Sequence, residues 1–352
     1  MNCPYTKLSL PQRERAIRES PLRSRLNIVM PDSKPIALIL LNMGGPDSLD
    51  AVEPFLYNLF SDRELIQLPA GALLQKPFAK IISYYRAKKV VENYRTIGGK
   101  SPLLEWTQKQ AAGTAQRLGN RFKPYVIMRY WQPRAEEVLA EIKKAGIETA
   151  VVLSMYPHYT RATTGSSVND FKRATAKVYP ELEYQLIEDW YDWPNYLDTL
   201  ANRINEGLDS FHDLMRDEVQ ILFSAHALPQ KFIDQGDPYR QHVEETVQGV
   251  MQRVGAYDWS IAYQSRSGPV KWMEPGTEEA LHELAEAGHR AVLMVPISFV
   301  SDHIETLEEI DIQYYNLATS LGLVNFCRAP SLNDRDDFLD ALAGLVKERC
   351  HL

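Results

Sequence analysis

Cysteine is scarce in this chain: among 352 residues there are three, Cys3, Cys327 and Cys350, far apart and without a C-x-x-C pair. That usage suggests neither a thiolate zinc site nor a disulfide framework, and it fits a reducing compartment. Long apolar runs are missing too; nowhere do about 18 consecutive apolar residues occur, the length a membrane-spanning helix requires. Basic charge is in deficit, with a formal net charge of −7. A general nucleic-acid binder would carry a basic excess, so no nucleic-acid partner is expected. Neither Gly-x-Gly-x-x-Gly nor a Walker pattern occurs, which argues against a dinucleotide or nucleoside triphosphate as obligatory cofactor. Met1 to Met30 holds Arg13, Arg15, Arg18, Arg23 and Arg25 but lacks the apolar core of a secretory signal, and Glu14 and Glu19 weigh against a transit peptide. Met1 to Asp32 therefore reads as a cytoplasmic extension.

What is present is ordinary for a globular protein, with 45% hydrophobic and 24% charged residues. The length suits two domains, and the chain looks duplicated. Ile36 to Leu41 running into Asn42-Met43-Gly44-Gly45-Pro46 matches Val219 to Phe223 running into Ser224-Ala225-His226-Ala227-Leu228-Pro229. Tyr125 to Pro133, followed by a helical pattern from Ala135 to Ala145, matches Ser260 to Trp272, followed by Thr277 to Ala287. Thr149 to Met155 leading to Tyr156-Pro157-His158-Tyr159 matches Arg290 to Val295 leading to Ser301 to Thr306. Short apolar runs alternating with helices indicate βαβ units and parallel sheets covered on both faces. The expectation is α/β: two similar doubly wound, Rossmann-like domains facing a central cleft, from Ser33 to Glu183 and from Tyr184 to Asn325. A C-terminal segment, Phe326 to Leu352, would pack back on the core through a helix from Arg335 to Glu348.

Strand ends locate the candidate chemistry, because ligands of α/β domains bind outside the carboxyl ends of the strands. His226 ends one apolar run, and an imidazole there suits proton acceptance near neutrality; a loop histidine bonded to backbone is the plainer reading. Asp302, His303 and Glu305 follow another run. Asp302 and Glu305 have the spacing of a capping box for a helix from Ile304 to Ala318, and equally that of a site sharing a cleft with His226. One imidazole and one carboxylate on opposite walls could accept protons or hold a divalent ion in transit. Arg129 could pair with a substrate carboxylate or form a surface ion pair. Met43, Tyr130, Trp131, Trp272 and Phe299 at these loop positions suggest a large flat apolar ligand. Thr163 to Ser167 looks like an anion-binding loop opening a helix.

Leu65 to Arg95 mixes Leu73, Leu74, Phe78, Ile81, Ile82, Tyr84 and Tyr85 with Lys76, Lys80, Arg86, Lys88 and Lys89. This pattern fits a lip lying on an anionic bilayer, and also an insertion helix packed on its own domain with solvated lysines.

Taken together, Asn42 to Pro46, Gly98 to Pro102, Met128 to Tyr130, Tyr156-Pro157 with Thr163 to Ser167, Ser224 to Pro229, Gln264-Ser265 with Gly268-Pro269 and Trp272, and Ser301 to Thr306 closely resemble ferrochelatase. The similarity covers roughly Pro35 to Cys327 in matching order. It implies a chelatase-type fold and insertion of Fe²⁺ into protoporphyrin IX to give protohaem, the terminal step of haem biosynthesis, with iron as substrate and no permanent cofactor. By resemblance, His226 accepts pyrrole protons and faces Glu305 across the porphyrin, and both can touch the metal. Asp302 and His303 would support Glu305, Met43 and Tyr130 would lie on the far face, Arg129 would meet a propionate, and Trp272 and Phe299 would line the pocket. Some members carry a [2Fe–2S] cluster on four cysteines; here Arg161 stands at the first position and Cys350 is alone at the tail, so no cluster is expected. A branch acting on coproporphyrin III has tyrosine near the first loop where this chain has Met43, which favours protoporphyrin. The competing readings are a coproporphyrin III ferrochelatase, a cobalt or nickel chelatase of another tetrapyrrole, and a non-catalytic haem or porphyrin carrier. Cysteine usage and the N-terminal segment place the protein in the cytoplasm, and the bilayer reading of Leu65 to Arg95 would set it peripherally on the inner face of the cell membrane.

Overall fold

The computed structural model describes residues 34–66, 71–212 and 216–352; the extension Met1 to Asp32 lies outside them. β1 (Ile36–Asn42) is apolar on both faces, and all seven residues are buried. Two-sided burial of that kind belongs to an inner strand of a parallel sheet. It pairs with β2 (Phe122–Met128) on one side and β3 (Thr149–Ser154) on the other, and β4 (Glu183–Ile187) continues from β3. The second sheet comprises β5 (Gln220–His226), β6 (Trp259–Gln264), β7 (Ala291–Pro296) and β8 (Asn325–Arg328), again parallel throughout. The strand orders are β2-β1-β3-β4 and β6-β5-β7-β8. One winding thus occurs twice, as the internal sequence match predicts, and the fold is two parallel, helix-covered Rossmann-like halves of the chelatase type.

The registers fix which residues are equivalent. Asn42 pairs with Met128 at the end of β1, and His226 pairs with Gln264 at the end of β5. The helices after β2 and β6, Ala135–Lys144 and Thr277–Glu286, both stop at a glycine in the left-handed region, Gly146 (φ 69°) and Gly288 (φ 89°). A side chain disfavours that conformation, so glycine sets the stop. After β3 and β7 the chain makes wide π-helical turns, Arg161–Gly165 and Glu305–Tyr314.

Three expectations need correction. β4 is hydrogen-bonded to β3, so a division between Glu183 and Tyr184 would cut a strand of the first sheet, and the first half extends through Ile187. β8 likewise carries the second sheet to Arg328. The α-helix expected from Ile304 to Ala318 is a π-helical segment as far as Tyr314 and α-helical only over Tyr315–Ser320.

One apolar core joins the halves. Ile36, Leu38 and Leu40 of β1, Trp190, Tyr196, Ile221 and Phe223 of β5, Leu293 and Val295 of β7, and Phe338 and Leu342 belong to a single buried cluster. The last two lie on the C-terminal helix Asp336–Arg349, which packs on both Leu103–Leu118 and Pro194–Leu208. Arg117 clamps it through Asp336 and Asp340, each at 2.6 Å.

The helix Ala72–Thr96 lies against Val52–Phe60. Its inward stripe is Gln75, Ala79, Ser83 and Ala87, small or polar residues four apart, while Leu73, Leu74, Ile81, Tyr84 and Tyr85 face solvent. The helix is therefore packed on its own half along a narrow line and apolar on its outer side.

Candidate active site

His226 closes β5 with its side chain one-third exposed, at 33%. Its Nδ1 stands 2.9 Å from Oε2 of Glu305, the first residue of the π-helical segment after β7, whose carboxylate is 17% exposed. A ligand can therefore reach the ring while the carboxylate stays sheltered behind it. Burial alone would lower the His226 pKa, but the charge and hydrogen bond of Glu305, with Glu309 further off, raise it above the usual imidazole value. Burial would raise that of Glu305; the imidazole's charge and hydrogen bond, helped by His303, hold it well below the carboxylate range. Each thus favours the charged form of the other across this hydrogen bond. Both come from the second half and touch directly, so they share one wall; the arrangement across the porphyrin expected from the resemblance is corrected, since no macrocycle fits between atoms 2.9 Å apart.

His303 is buried beside them. Its Nδ1 donates to the carbonyl of Ser301 at 3.1 Å, leaving Nε2 unpartnered and aimed at Glu305 from 3.8 Å. The Phe299 ring lies 4.1 Å from that of His303 and 6.0 Å from that of His226. Asp302 takes another direction. It binds Arg328 at 3.1 Å, Ser331 at 2.7 Å and Asn333 at 2.8 Å, and Thr306 also donates to it. Despite burial, Arg328 and these donors hold its carboxyl below the usual range. The capping box does not form: Ile304 is the residue before the π-helical segment, and no side chain caps it. Asp302 anchors the loop, and Glu305 is left for His226.

On the first half, Arg129 and Tyr130 turn inward. The guanidinium is 11% exposed, donates from Nε to Ser166 at 2.7 Å and pairs with Asp62 at 3.0 Å; the phenol donates to the same carboxylate at 2.8 Å. Burial would raise the Asp62 pKa, but Arg129, Ser166 and the other donors bring it below its usual value. Arg129 is thus committed to an internal network instead of presenting its fork to a propionate. The supposed anion loop is also turned inward: Thr164 bonds Ser154 at 3.0 Å, Ser166 bonds Asp62, and Gly165 is buried. Met43, Trp131 and Ile304 pack on one apolar cluster with Tyr130, so the loop after β1 meets the loop before Glu305. Trp272, half-buried, bridges to Pro229 just beyond His226.

Two residues escaped sequence reasoning. Glu309 accepts from the Ser265 N–H at 2.9 Å, Gln264 at 3.0 Å and Tyr314 at 2.9 Å. Burial and the charge of Glu305 push its pKa up. Its place four residues after Glu305 was the available signal. Asp62 sits in a loop without a motif, and only the fold brings it to Arg129. Among the described residues no group of three or more His, Cys, Asp or Glu side chains is arranged to hold a metal ion, and Cys327 and Cys350 are free.

Two parallel sheets of one strand order, with a histidine and a carboxylate at adjoining strand ends, make a chelatase-type fold of two halves. A crystal structure of a sirohydrochlorin chelatase from Bacillus subtilis subspecies spizizenii in complex with cobalt has the same fold, with a TM-score of 0.50 over 90% of this chain and 96% of that one at 9% identity. Sequence narrows the class. The chain belongs to the ferrochelatase family, whose model matches residues 35–350. A ferrochelatase of Geobacter metallireducens is 53% identical over 316 residues, covering 90% of this chain and 99% of the relative. One from Picosynechococcus is 46% identical over 320 residues, 89% of this chain and 82% of the relative. With the family goes the class of activity: the protein is a lyase.

Proposed function

We propose that His226 and Glu305 together carry out the reaction of this family on this chain: ferrous iron enters protoporphyrin IX, two pyrrole protons leave, and protohaem forms. The observation that carries the reading is the 2.9 Å contact between an accessible imidazole and a sheltered carboxylate. The N–H protons of the macrocycle need a base within hydrogen-bond reach, and imidazole works near neutrality. In the resting pair the ring holds its proton. A dication arriving at Glu305 takes over that carboxylate's charge and drives the imidazolium proton into solvent, to which the ring is one-third exposed; the freed ring accepts the first pyrrole proton, passes it on to solvent, and then accepts the second. Imidazole and carboxylate both suit iron, and with so few ligands the ion passes through instead of staying. Glu309, with its raised pKa, is placed to take up a released proton. The unpartnered Nε2 of His303 adds a second imidazole beside Glu305.

The remaining roles follow from position. Met43, Trp272 and Phe299 would line the flat faces of the macrocycle, while Tyr130 and Arg129 brace the first wall from behind through Asp62. Asp302 holds the loop that presents Glu305. Protohaem is the product and iron the substrate, so no permanent cofactor is invoked.

The outer side of Ala72–Thr96 supports peripheral attachment to the inner face of the cell membrane, with the enzyme itself cytoplasmic. Leu73 is 89% exposed and Tyr85 70%, among Lys76, Lys88 and Lys89. Apolar side chains would enter the bilayer while the lysines meet anionic headgroups. Among the described residues no helix is long and apolar enough to cross a membrane.

The test is an anaerobic spectroscopic assay with Fe²⁺, offering protoporphyrin IX and coproporphyrin III separately, each against His226→Ala. Turnover of protoporphyrin, lost in the variant, supports the reading. Preference for coproporphyrin reassigns the substrate, and tight binding without insertion makes the protein a carrier. For the membrane, sedimentation with anionic vesicles should capture the wild type and leave Leu73→Glu in solution with its turnover of soluble porphyrin intact; equal capture of both would refute the attachment.

A further inference from the structure

His226 is the last residue of β5, and on the β7 side the sheet ladder has already ended. The final pair there is Ser224 with Pro296, after which Ile297 N–H donates to Ser224 O at 3.0 Å. The peptide groups of His226 on that side have no strand to bond. A buried peptide group left unpaired is costly, and here two side chains replace the missing strand. The N–H of His226 donates to Ser298 Oγ at 2.8 Å, the Tyr239 hydroxyl donates to His226 O at 2.9 Å, and the two hydroxyl oxygens lie 2.5 Å apart. A carbonyl only accepts, so the phenolic hydrogen is committed to His226, and the Ser298 hydrogen must go to Tyr239 Oη. The result is a closed, one-directional ring: His226 N–H to Ser298, Ser298 to Tyr239, Tyr239 to His226 C=O.

The ring is itself anchored. Tyr239 opens the helix Tyr239–Val254, and its N–H donates to Asp237 Oδ1 at 3.2 Å. The other oxygen of Asp237 accepts from Thr160 Oγ1 and from Arg161 N–H, each at 2.9 Å, in the first half. Tyr239, Ser298 and Asp237 are all buried.

We propose that Tyr239 and Ser298 are positioning residues of the metal-insertion reaction, fixing the backbone of His226 so that its ring meets Glu305, and that Asp237 ties this setting to the docking of the two halves. The inference rests on the role given to His226 above. Neither side chain touches substrate; both act through the peptide of His226. Without the ring, the Cα of His226 can move by a fraction of an ångström and the bond to Glu305 loosens. Misplacement on that scale costs about 10- to 100-fold in rate.

The test uses Tyr239→Phe, Ser298→Ala and, as the conservative control, Ser298→Thr, each with its thermal midpoint measured. The expected result is kcat lowered about 10- to 100-fold in the first two variants, with KM for porphyrin within about twofold. The acidic limb of kcat/KM should move to lower pH, because His226 loses part of the hold of Glu305, and Ser298→Thr should stay near wild type. ¹⁵N-histidine NMR reads the His226 Nδ1 bond without turnover, and Tyr239→Phe should weaken its signature. An unchanged NMR signature with an unmoved acidic limb would overturn the proposal, even if kcat and the thermal midpoint fell together, since that pattern marks a merely structural role. Failure of the functional reading shows elsewhere, in turnover by wild type that survives His226→Ala.

Discussion

Acid should open this protein along a specific seam. His158, from the loop after β3, and His242, on the helix Tyr239–Val254, meet where the two halves join. Thr246 Oγ1 gives its hydrogen to backbone carbonyls at 2.9 and 3.0 Å, so it can only accept from His158 Nε2, 3.0 Å away. His158 Nδ1 then carries the lone pair, and it has no partner. His242 Nδ1 accepts from the Tyr159 N–H at 3.2 Å, and its ring stacks on Tyr191 at 3.8 Å. A proton added to His158 would be buried without an acceptor, and one added to His242 would set donor against donor. Burial accordingly lowers the pKa of His242 from 6.5 to about 4 and, with the charge of His242, that of His158 to about 3.

The folded state holds both rings neutral, whereas the unfolded chain binds a proton at each once the pH drops below about 6.5. Stability from the pair is therefore fully present above that pH and is lost as pH falls toward 4. Each ring withdraws about 1.4 kcal/mol per pH unit in that window, or on the order of 3 kcal/mol by pH 4, against a typical total of about 5–15 kcal/mol. The assay is the thermal midpoint from pH 7.5 to 4.5 of wild type and His242→Gln, whose amide oxygen keeps the Tyr159 bond and does not titrate. The variant should lose stability less steeply with acid, by about one proton's worth. Equal slopes would refute the reasoning.

Other outcomes follow from the same geometry. Glu305→Gln should lower kcat by about 100-fold or more and move the acidic limb of kcat/KM to lower pH, because the carboxylate that raises His226 is gone; a limb that stays put would separate the two residues. Asp62→Asn removes the nearer carboxylate of the buried Arg129 and leaves it Asp170 at 3.6 Å; it should cost about 1–3 kcal/mol, read as a lower denaturation midpoint. Gly207→Ala pits a helix-propensity gain of about 1 kcal/mol against overpacking of about 1–3 kcal/mol. A Cβ there would stand 2.7 Å from Leu293 Cδ1 and 3.3 Å from Ala329 Cα; net destabilisation by thermal unfolding is expected, and a stabilised variant would show that β7 can yield.

The duplication was legible because strand, loop and helix recur in order, and His226 and Glu305 because apolar runs lead straight into them. Other features depend on contacts that no local pattern encodes. Glu183–Ile187 carries mixed polarity at the edge of its sheet, so its membership in the first half is set by pairing with β3. A π-helical segment of ten residues has apolar spacing too close to that of an α-helix to be told apart over so few turns. Arg129 and Tyr130 sit at a strand end, which suggested outward display, but Asp62, distant in sequence, turns them in. The shared wall of His226 and Glu305 could not be read from two strand ends, since adjacency within a sheet and opposition across a cleft give the same sequence pattern.

The strap formed by Asp336–Arg349 has a mechanical consequence. It is packed on helices from both halves, pinned by Arg117, and tied again where Gln185 donates to Arg349 O at 2.6 Å. With an apolar core continuous through both sheets, the molecule cannot gape like a clamshell without tearing its interior. A rigid disc the size of a porphyrin must therefore slide in edgewise, and give is left to the rim, where Ala72–Thr96 touches the second half through Asn93 on Glu308 and Arg86 on Ser267.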